Sequence, residues 1–273
     1  MFVVPVILLI TVIVILPLFH AFWISLFDHI RSGIPVDFVG FRNYVKVLTW
    51  NRFYGSLFRT AIYTVISNAL KLVIGLVTAL ILNEEFKGRG FLRGVMIIPW
   101  TIPVFVVALM WYWMFAWSGM LNAILKALHL QPINWLGPKW AMASVILINV
   151  WKGFPFYMLG FLAGLQSIPR DLYEAATVDG ASSWQNFVHV TLPGLMPVLL
   201  TVLLLSTIWT FSEFTSIYLT TRGGPGMRTE TLPILVYTTT FGQFNTSLGA
   251  AISIAILPIF LVLIWGTARM MRE

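Results

Sequence analysis

Residues 166–193, QSIPRDLYEAATVDGASSWQNFVHVTLP, decide how this chain is organised, because they form a polar link between two long apolar stretches. The stretch predicts two short helices with a sharp turn between them. Pro169 suits the first position of a helix, where its missing N–H costs nothing. Gly180 stands where a helix-terminating glycine with positive φ is common. Ser182 and Gln185 have the spacing of a capping box for a second helix.

The first of these helices has a face of small residues. Its members follow the i, i+3, i+4, i+7 spacing of one helix face, and they are Leu172, Ala175, Ala176 and Asp179. Pro193 is predicted to end the second helix and to introduce the next apolar stretch. Two interpretations stay open from this pattern alone. The helix docks onto another protein, or it lies on the membrane surface as an amphipathic helix.

The composition of the whole chain is typical of an integral membrane protein. Of its 273 residues, 59% are hydrophobic and 10% are charged, whereas soluble domains average about 45–50% and about 25%. The mean hydropathy is +0.88. The apolar N-terminal run has no Lys or Arg before Arg31. It therefore lacks the basic region of a cleaved signal peptide, and we expect a first transmembrane helix there.

Six apolar segments are long enough to cross a bilayer, which takes about 20 residues of α-helix. We therefore predict an all-α membrane protein in which residues 1–273 form one transmembrane domain. The predicted spans are 3–27, 57–82, 95–117, 141–165, 195–218 and 248–270. Counting basic residues does not settle the orientation, because the side opposite the 166–194 link carries more Lys and Arg.

Several kinds of site are excluded by the residue types and motifs that the sequence lacks. It has no cysteine, which excludes disulfides, cysteine metal ligands and cysteine nucleophiles. It has no GxxxxGK[ST] phosphate-binding loop, so the chain is not itself an ATPase. Its four histidines are dispersed, without an HExxH or Ser–His–Asp set. The net charge of +7 is scattered and forms no nucleic-acid-binding stripe. We expect no catalytic residues, metal, cofactor or nucleic acid partner.

Charged residues within or near the predicted spans are candidates for a solute path, because charges there are costly and usually face the interior of a bundle. Lys71 is expected beside polar neighbours of its own helix. Lys152 and Glu213 either pair with each other, line a cavity or bond a solute. The predicted solute path consists of Asn149, Lys152, Trp209 and Glu213.

The polar link also carries a recognisable family pattern. Glu174-Ala175-Ala176 is followed after three residues by Gly180, after nine more by Val190, and then by Leu192-Pro193. This spacing resembles the EAA loop of binding-protein-dependent ABC importer permeases, with Val190 in place of the commoner isoleucine. Further segments resemble the maltose and glycerol-phosphate branch of that family. They include Gly40, Asn43 and Tyr44 in VGFRNY, residues 151–156 in WKGFPF, and Thr229 and Glu230 in the link after the fifth span.

The resemblance implies a type I importer permease of six transmembrane helices with a cytoplasmic coupling helix. It implies that Glu174 contacts an ATPase dimer, that Ala175 and Ala176 pack closely against it, and that Gly180 makes the turn. Asp179 either contacts the same partner or caps the end of its own helix. Mg-ATP would bind to that partner. The other implied partners are a second permease subunit in a heterodimer, an extracytoplasmic solute-binding protein, and a sugar or polyol as solute. The implied location is a bacterial or archaeal cytoplasmic membrane, with both termini cytoplasmic.

The alternative function is ion-coupled secondary transport. Such transporters often show inverted repeats and several buried acidic residues. This sequence places only Glu213 within a predicted span and has no evident internal repeat.

Overall fold

A computed structural model describes residues 3–31 and 33–270, which are mostly helical. Helix α1 runs as Val3–Ile10, a π-helical turn at Thr11–Ile15, and Leu16–Ser25. Strands β1 (Phe27–Arg31) and β2 (Ile34–Phe38) form an antiparallel hairpin. The next helices are α2 (Arg42–Leu48), α3 (Asn51–Asn83), α4 (Arg89–Thr101), α5 (Val104–Met114), α6 (Met120–Ala127) and α7 (Ala141–Ser167).

The second half of the described chain begins with a short helix, α8 (Arg170–Val178). Helix α9 then runs as Ser183–Asn186, a π-helical turn at Phe187–Thr191, and Leu192–Phe211. The remaining helices are α10 (Thr215–Thr221), α11 (Leu232–Tyr237, extended by a π-helical turn at Thr238–Gly242) and α12 (Thr246–Met270).

In the described residues, five helices are long and apolar enough to cross a membrane, or six if α4 and α5 together form one span. The helices divide by contacts into two compact units. One holds the described residues up to Thr60 together with Glu230–Leu263, and the other holds residues 61–229 and the described residues from Ile264 onward.

The first unit fixes the exit of α1 through the side chain of Asn43. This buried amide donates hydrogen bonds to the backbone oxygens of Ser25, at 2.9 Å, and Phe27, at 2.7 Å. The Tyr44 hydroxyl bonds the Ser25 hydroxyl at 2.6 Å. Because these bonds satisfy the end of α1 and the start of β1, the segment that resembles the importer family here has a structural role.

The same unit contains a buried carboxylate, Glu230, whose side chain is 4% exposed. Arg52 Nε donates to Glu230 Oε2 at 3.0 Å in a two-pronged pair, and Ser56 Oγ donates to the same oxygen at 3.3 Å. Arg59 Nε donates to the Glu230 backbone oxygen at 2.9 Å. Since a buried charge is tolerated only when it is paired and hydrogen-bonded, these three residues of α3 fix the segment that enters α11.

The second unit has its core where α3, α7 and α9 meet. Tyr157 and Phe161 from α7 are fully buried against Leu82 from α3 and Leu195 from α9. Most other long helices expose apolar side chains, as a lipid-facing bundle does, whereas α7 is mainly buried. The core of the second unit is therefore built around α7.

Two of the predicted spans differ from the helices observed. The third, 95–117, is divided at Ile102-Pro103 into α4 and α5, which are bent by 94°. Pro103 causes the break, because proline disfavours helical backbone in the preceding residue and offers no N–H. The fifth, 195–218, ends early at Phe211, and residues 215–221 form the separate helix α10.

The prediction that Pro193 ends a helix is wrong. Helix α9 begins at Ser183 and continues through Pro193 into the fifth span. The π-helical turn before this proline, in which the Leu192 N–H bonds the Phe187 oxygen, explains the continuity. A widened turn leaves room for the proline ring and does not require the N–H that proline lacks.

Candidate coupling loop and membrane cavity

Residues 166–193 contain the first predicted helix, α8, and the predicted sharp turn, and the second predicted helix is the beginning of α9. Pro169 precedes the first residue of α8, one position earlier than expected. At the other end, the Gly180 N–H bonds the Thr177 oxygen at 3.0 Å, and the Ala181 N–H bonds the Ala176 oxygen at 2.9 Å. With Gly180 at φ +80°, these bonds form a Schellman motif, which satisfies carbonyls at the end of α8.

A capping box starts the second helix of this link, as predicted. Gln185 N–H donates to Ser182 Oγ, and the Ser182 N–H donates to Gln185 Oε1 at 2.8 Å. The two motifs fix both sides of the turn at residues 179–182. The orientation of α8 against the start of α9 therefore follows from short-range hydrogen bonds.

The motif residues of α8 are mostly uncovered. Glu174, Ala175, Asp179 and Gly180 are exposed, whereas Ala176 is half-buried. Within residues 3–31 and 33–270, the Glu174 carboxylate takes part in no recorded hydrogen bond or salt bridge. Two apolar neighbours are exposed as well, Val178 at 87% and Leu172 at 52%. An exposed apolar and acidic surface on an ordered helix is typical of a protein–protein contact.

Tyr173 attaches α8 to the rest of the second unit. Its ring packs against the core cluster of α3, α7 and α9, and its hydroxyl bonds the Thr191 hydroxyl at 3.0 Å. Sequence reasoning missed this residue. The available signal was an aromatic residue three positions before Ala176, since residues spaced in this way lie on one side of a helix.

A cavity in the second unit brings together all four residues of the predicted solute path. Asn149, Lys152, Trp209 and Glu213 line a volume of about 570 Å³, which includes its open mouth. Its wall comes from α3, the α4–α5 bend, α7, α9 and α10. The cavity is thus built from residues that lie between positions 71 and 216 of the sequence.

Lys152 and Glu213 do not form a salt bridge in the described part of the chain. Lys152 Nζ donates to the Ile102 oxygen at 2.7 Å and to the Trp100 oxygen at 3.3 Å. These carbonyls become available where α4 ends at the bend, and a cation at a helix C-terminus is favourable. Glu213 Oε1 accepts from the Ser216 N–H at 2.8 Å and from its hydroxyl at 2.9 Å. Each charge therefore stabilises one end of a broken helix.

Lys71 also lines the cavity, and it was not among the residues predicted for the solute path. Its side chain crosses to α9, where Nζ donates to Ser206 Oγ at 2.9 Å and to Thr210 Oγ1 at 2.8 Å. Both hydroxyls in turn donate to Asn68 Oδ1. The expectation that Lys71 lies with the polar residues of its own helix is thus incomplete, because its direct partners belong to another helix.

Aromatic side chains also line the cavity. The rings of Trp100 and Phe156 are stacked with centroids 6.3 Å apart, and those of Phe156 and Trp209 meet edge to face at 4.9 Å. All three residues line the cavity. Flat apolar surfaces beside hydroxyl, amide and charged groups suit a solute that has both CH faces and hydroxyl groups.

Comparison with known proteins places this geometry in a family. Residues 71–271 match the family described as "Binding-protein-dependent transport system inner membrane component". The trehalose/maltose transport system permease protein MalF of Thermococcus litoralis is 43% identical over 255 residues, covering 92% of this chain and 85% of that protein. The sulfoquinovosyl glycerol transport system permease protein SmoG of Agrobacterium fabrum is 34% identical over 253 residues, covering 92% and 82%.

The fold agrees with this placement. A chain of a bacterial ABC transporter involved in the import of the acidic polysaccharide alginate superposes with a TM-score of 0.86, at 23% identity, over 99% of this chain and 93% of that one. The predicted fold class, an ABC importer permease of about six apolar helices, is confirmed. The chain is a multi-pass membrane protein and belongs to the family of binding-protein-dependent transport system inner membrane components.

Proposed function

We propose that this chain forms half of the translocation path of an ATP-driven importer for a neutral sugar, with trehalose and maltose as the first candidates. The relative most similar in sequence among those described above carries these sugars in its name. The cavity supports the proposal, since it combines aromatic rings with Asn149, Lys71 and Glu213. Sugars bind well to such walls, because the rings cover their CH faces and the polar groups bond their hydroxyls.

Coupling to ATP hydrolysis is assigned to α8. The observation that carries this assignment is an ordered helix, closed at its C-terminus by the Gly180 turn, whose motif side chains, Glu174 above all, are exposed without a partner in the described chain. Glu174 and Asp179 supply polar contacts to a separate ATPase subunit. Ala175 and Ala176 allow close approach, and Gly180 forms the turn that holds the helix in place.

This assignment orients the chain in the cytoplasmic membrane. Because the ATPase is cytoplasmic, α8 faces the cytoplasm, and an even number of spans then places both termini on that side. The long links 28–56 and 220–247 face outward, toward a solute-binding protein. A sister permease subunit completes the path as a heterodimer. ATP binding closes the ATPase dimer, α8 transmits that movement, and the bundle opens outward to accept the solute.

The charge reversal Glu174→Lys tests this proposal in the assembled transporter. We expect the ATPase to be lost on purification through a tag on this chain, and ATP-dependent sugar uptake into proteoliposomes to fall at least about tenfold, because a desolvated contact of wrong sign costs several kcal/mol.

The matched control is Glu85→Lys, which reverses an acidic residue that is 84% exposed on the neighbouring link and only weakly paired with Arg170 at 3.9 Å. It should keep both the ATPase and uptake. Retention of both by Glu174→Lys would refute docking through α8, and sugar uptake that does not require ATP would refute the importer class.

A further inference from the structure

Three charged side chains line the membrane cavity, and two of them are engaged at helix ends. Lys152 holds carbonyls at the end of α4, and Glu213 holds the first turn of α10. The third, Lys71, is 3% exposed, and within residues 3–31 and 33–270 it forms no salt bridge with a carboxylate. A lysine at this depth is costly, so a role in the solute path is the first expectation for it.

The hydrogen-bonding capacity of Lys71 is not filled by the described chain. A lysine ammonium has three donors, and two of them reach Ser206 and Thr210. The ring of Tyr157 lies 5.8 Å from Nζ, which stabilises the cation but does not replace a strong oxygen acceptor. One donor therefore remains for an oxygen atom in the cavity.

The chain makes room for this side chain at Gly153. A Cβ added to Gly153 would lie 2.6 Å from Lys71 Cδ, which is closer than real Cβ contacts allow. Gly153 itself lines the cavity beside Lys152. A glycine at this point of α7 therefore sets the path of the lysine stem from α3 to the cavity wall.

We propose that Lys71 is a specificity-determining residue that donates a hydrogen bond to one hydroxyl oxygen of the transported sugar, an inference that rests on the sugar-import function proposed above. The number of donors favours a neutral hydroxyl over an acidic group. A desolvated carboxylate or sulfonate needs several donors, whereas Lys71 and Lys152 each have one donor left beyond their two partners in the described chain. The rings of Trp100 and Trp209 then cover the CH faces of the same sugar.

The test uses the full transporter, with its sister subunit, ATPase and binding protein, in proteoliposomes. Uptake of maltose, trehalose and their monodeoxy derivatives is measured for the wild type, Lys71→Met and Gly153→Ala. We expect Lys71→Met to raise the KM for the transported sugar about tenfold or more, the usual effect of losing a hydrogen bond from a charged donor. For the one derivative that lacks the contacted hydroxyl, the variant and the wild type should have nearly equal KM values.

Gly153→Ala should show the same selective pattern in weaker form, because it displaces the lysine stem without removing the charge. Lys126→Met, an exposed lysine on α6, is the control and should match the wild type for every sugar. The comparison is made as a ratio of variant to wild type for each sugar, so that selection by the binding protein cancels.

Other outcomes overturn the inference. If Lys71→Met raised the KM equally for every derivative, Lys71 would only connect α3 to α9 through its hydrogen bonds. Stronger uptake of maltobionate, an acidic derivative, than of maltose by the wild type would show that the remaining donor serves an anion. Import of neither maltose nor trehalose by the wild type would refute the proposed sugars themselves, before any variant is considered.

Discussion

The coupling loop and the membrane cavity are built in opposite ways. Between Pro169 and Gln185, each defining hydrogen bond joins residues no more than five positions apart, and the motif side chains face outward. In the cavity, the bonds of Lys71 and Lys152 reach partners at least 50 residues away, and the side chains face inward. The conformation of the coupling loop is determined by local hydrogen bonds, which leave its motif side chains exposed. The cavity depends on the packing of several helices.

The charged side chains of the two regions have different roles. In the loop, charge is available to a partner, because the exposed Glu174 carboxylate accepts no hydrogen bond from the described residues. In the cavity, Lys152 and Glu213 first satisfy the backbone at two broken helices, as a bilayer interior requires. Lys71 instead bonds side-chain hydroxyls of α9, and one of its three donors has no acceptor in the described chain. Two of the three charged residues that line the cavity therefore stabilise helix breaks.

Lys152→Met should have the largest effect on stability among these variants, and it tests whether Lys152 stabilises the helix bend or binds the solute. Removal of the ammonium leaves the Trp100 and Ile102 carbonyls without their donor in the described chain. The loss of a hydrogen bond from a charged donor costs about 1.5–3 kcal/mol. We expect a lower thermal unfolding midpoint in detergent, followed by tryptophan fluorescence, and reduced uptake of every sugar.

Lys152→Arg is the companion variant, because it keeps a donor at the bend and should recover part of the lost stability. Lys126→Met gives the baseline for removing a lysine that is exposed. A Lys152→Met protein with wild-type unfolding and a selective defect toward one sugar derivative would contradict the structural role at the bend.

The sequence predicted the coupling loop in detail and the cavity only in part. The turn followed from Gly180, Ser182 and Gln185, whose effects are local. Asn149, Lys152 and Glu213 were identified as polar groups in or near the spans and Trp209 as an aromatic residue able to stack on a sugar, but the partners of Lys152 lie at least 50 residues away. Lys71 was not assigned to the path because its hydroxyl partners lie on α9. The 94° bend at Pro103 was not predicted because several predicted spans contain proline, and proline alone does not show which of them bends sharply.

Gly180→Ala should have a medium effect, on the conformation of the turn that follows α8. Gly180 has φ +80° and open space around it, so an added methyl group meets no atom and its cost is conformational. That cost is about 1–2 kcal/mol for a residue with a side chain. We expect faster hydrogen exchange at the Gly180 and Ala181 amides and a partial loss of ATP-dependent uptake.

Gly94→Ala is the matched control for this change. Gly94 also has open space around it, but it lies inside α4 without a positive φ. Alanine there should be neutral or stabilising, since it favours helix over the unfolded chain. If both alanine variants had the same exchange rates and uptake as the wild type, the left-handed turn would not determine the position of α8.

Ser182→Ala should produce the smallest effect, because it removes only half of the capping box. The Gln185 N–H donates to Ser182 Oγ over a long 3.4 Å, and Ser182 Oγ donates to Gln185 Oε1 at 2.8 Å. After the substitution, Gln185 Oε1 still accepts from the backbone N–H at position 182. We expect the substitution to lower the stability of the first turn of α9 by about 0.5 kcal/mol, the low end of the effect of removing an N-cap serine. Exchange at the Gln185 amide should quicken about twofold, with uptake unchanged. Ser183→Ala, at the adjacent position with no recorded side-chain bond, is the control. Abolished uptake in Ser182→Ala alone would mean that this hydroxyl contacts the ATPase directly, and the loop would then use its capping residues for docking as well as for its own fold.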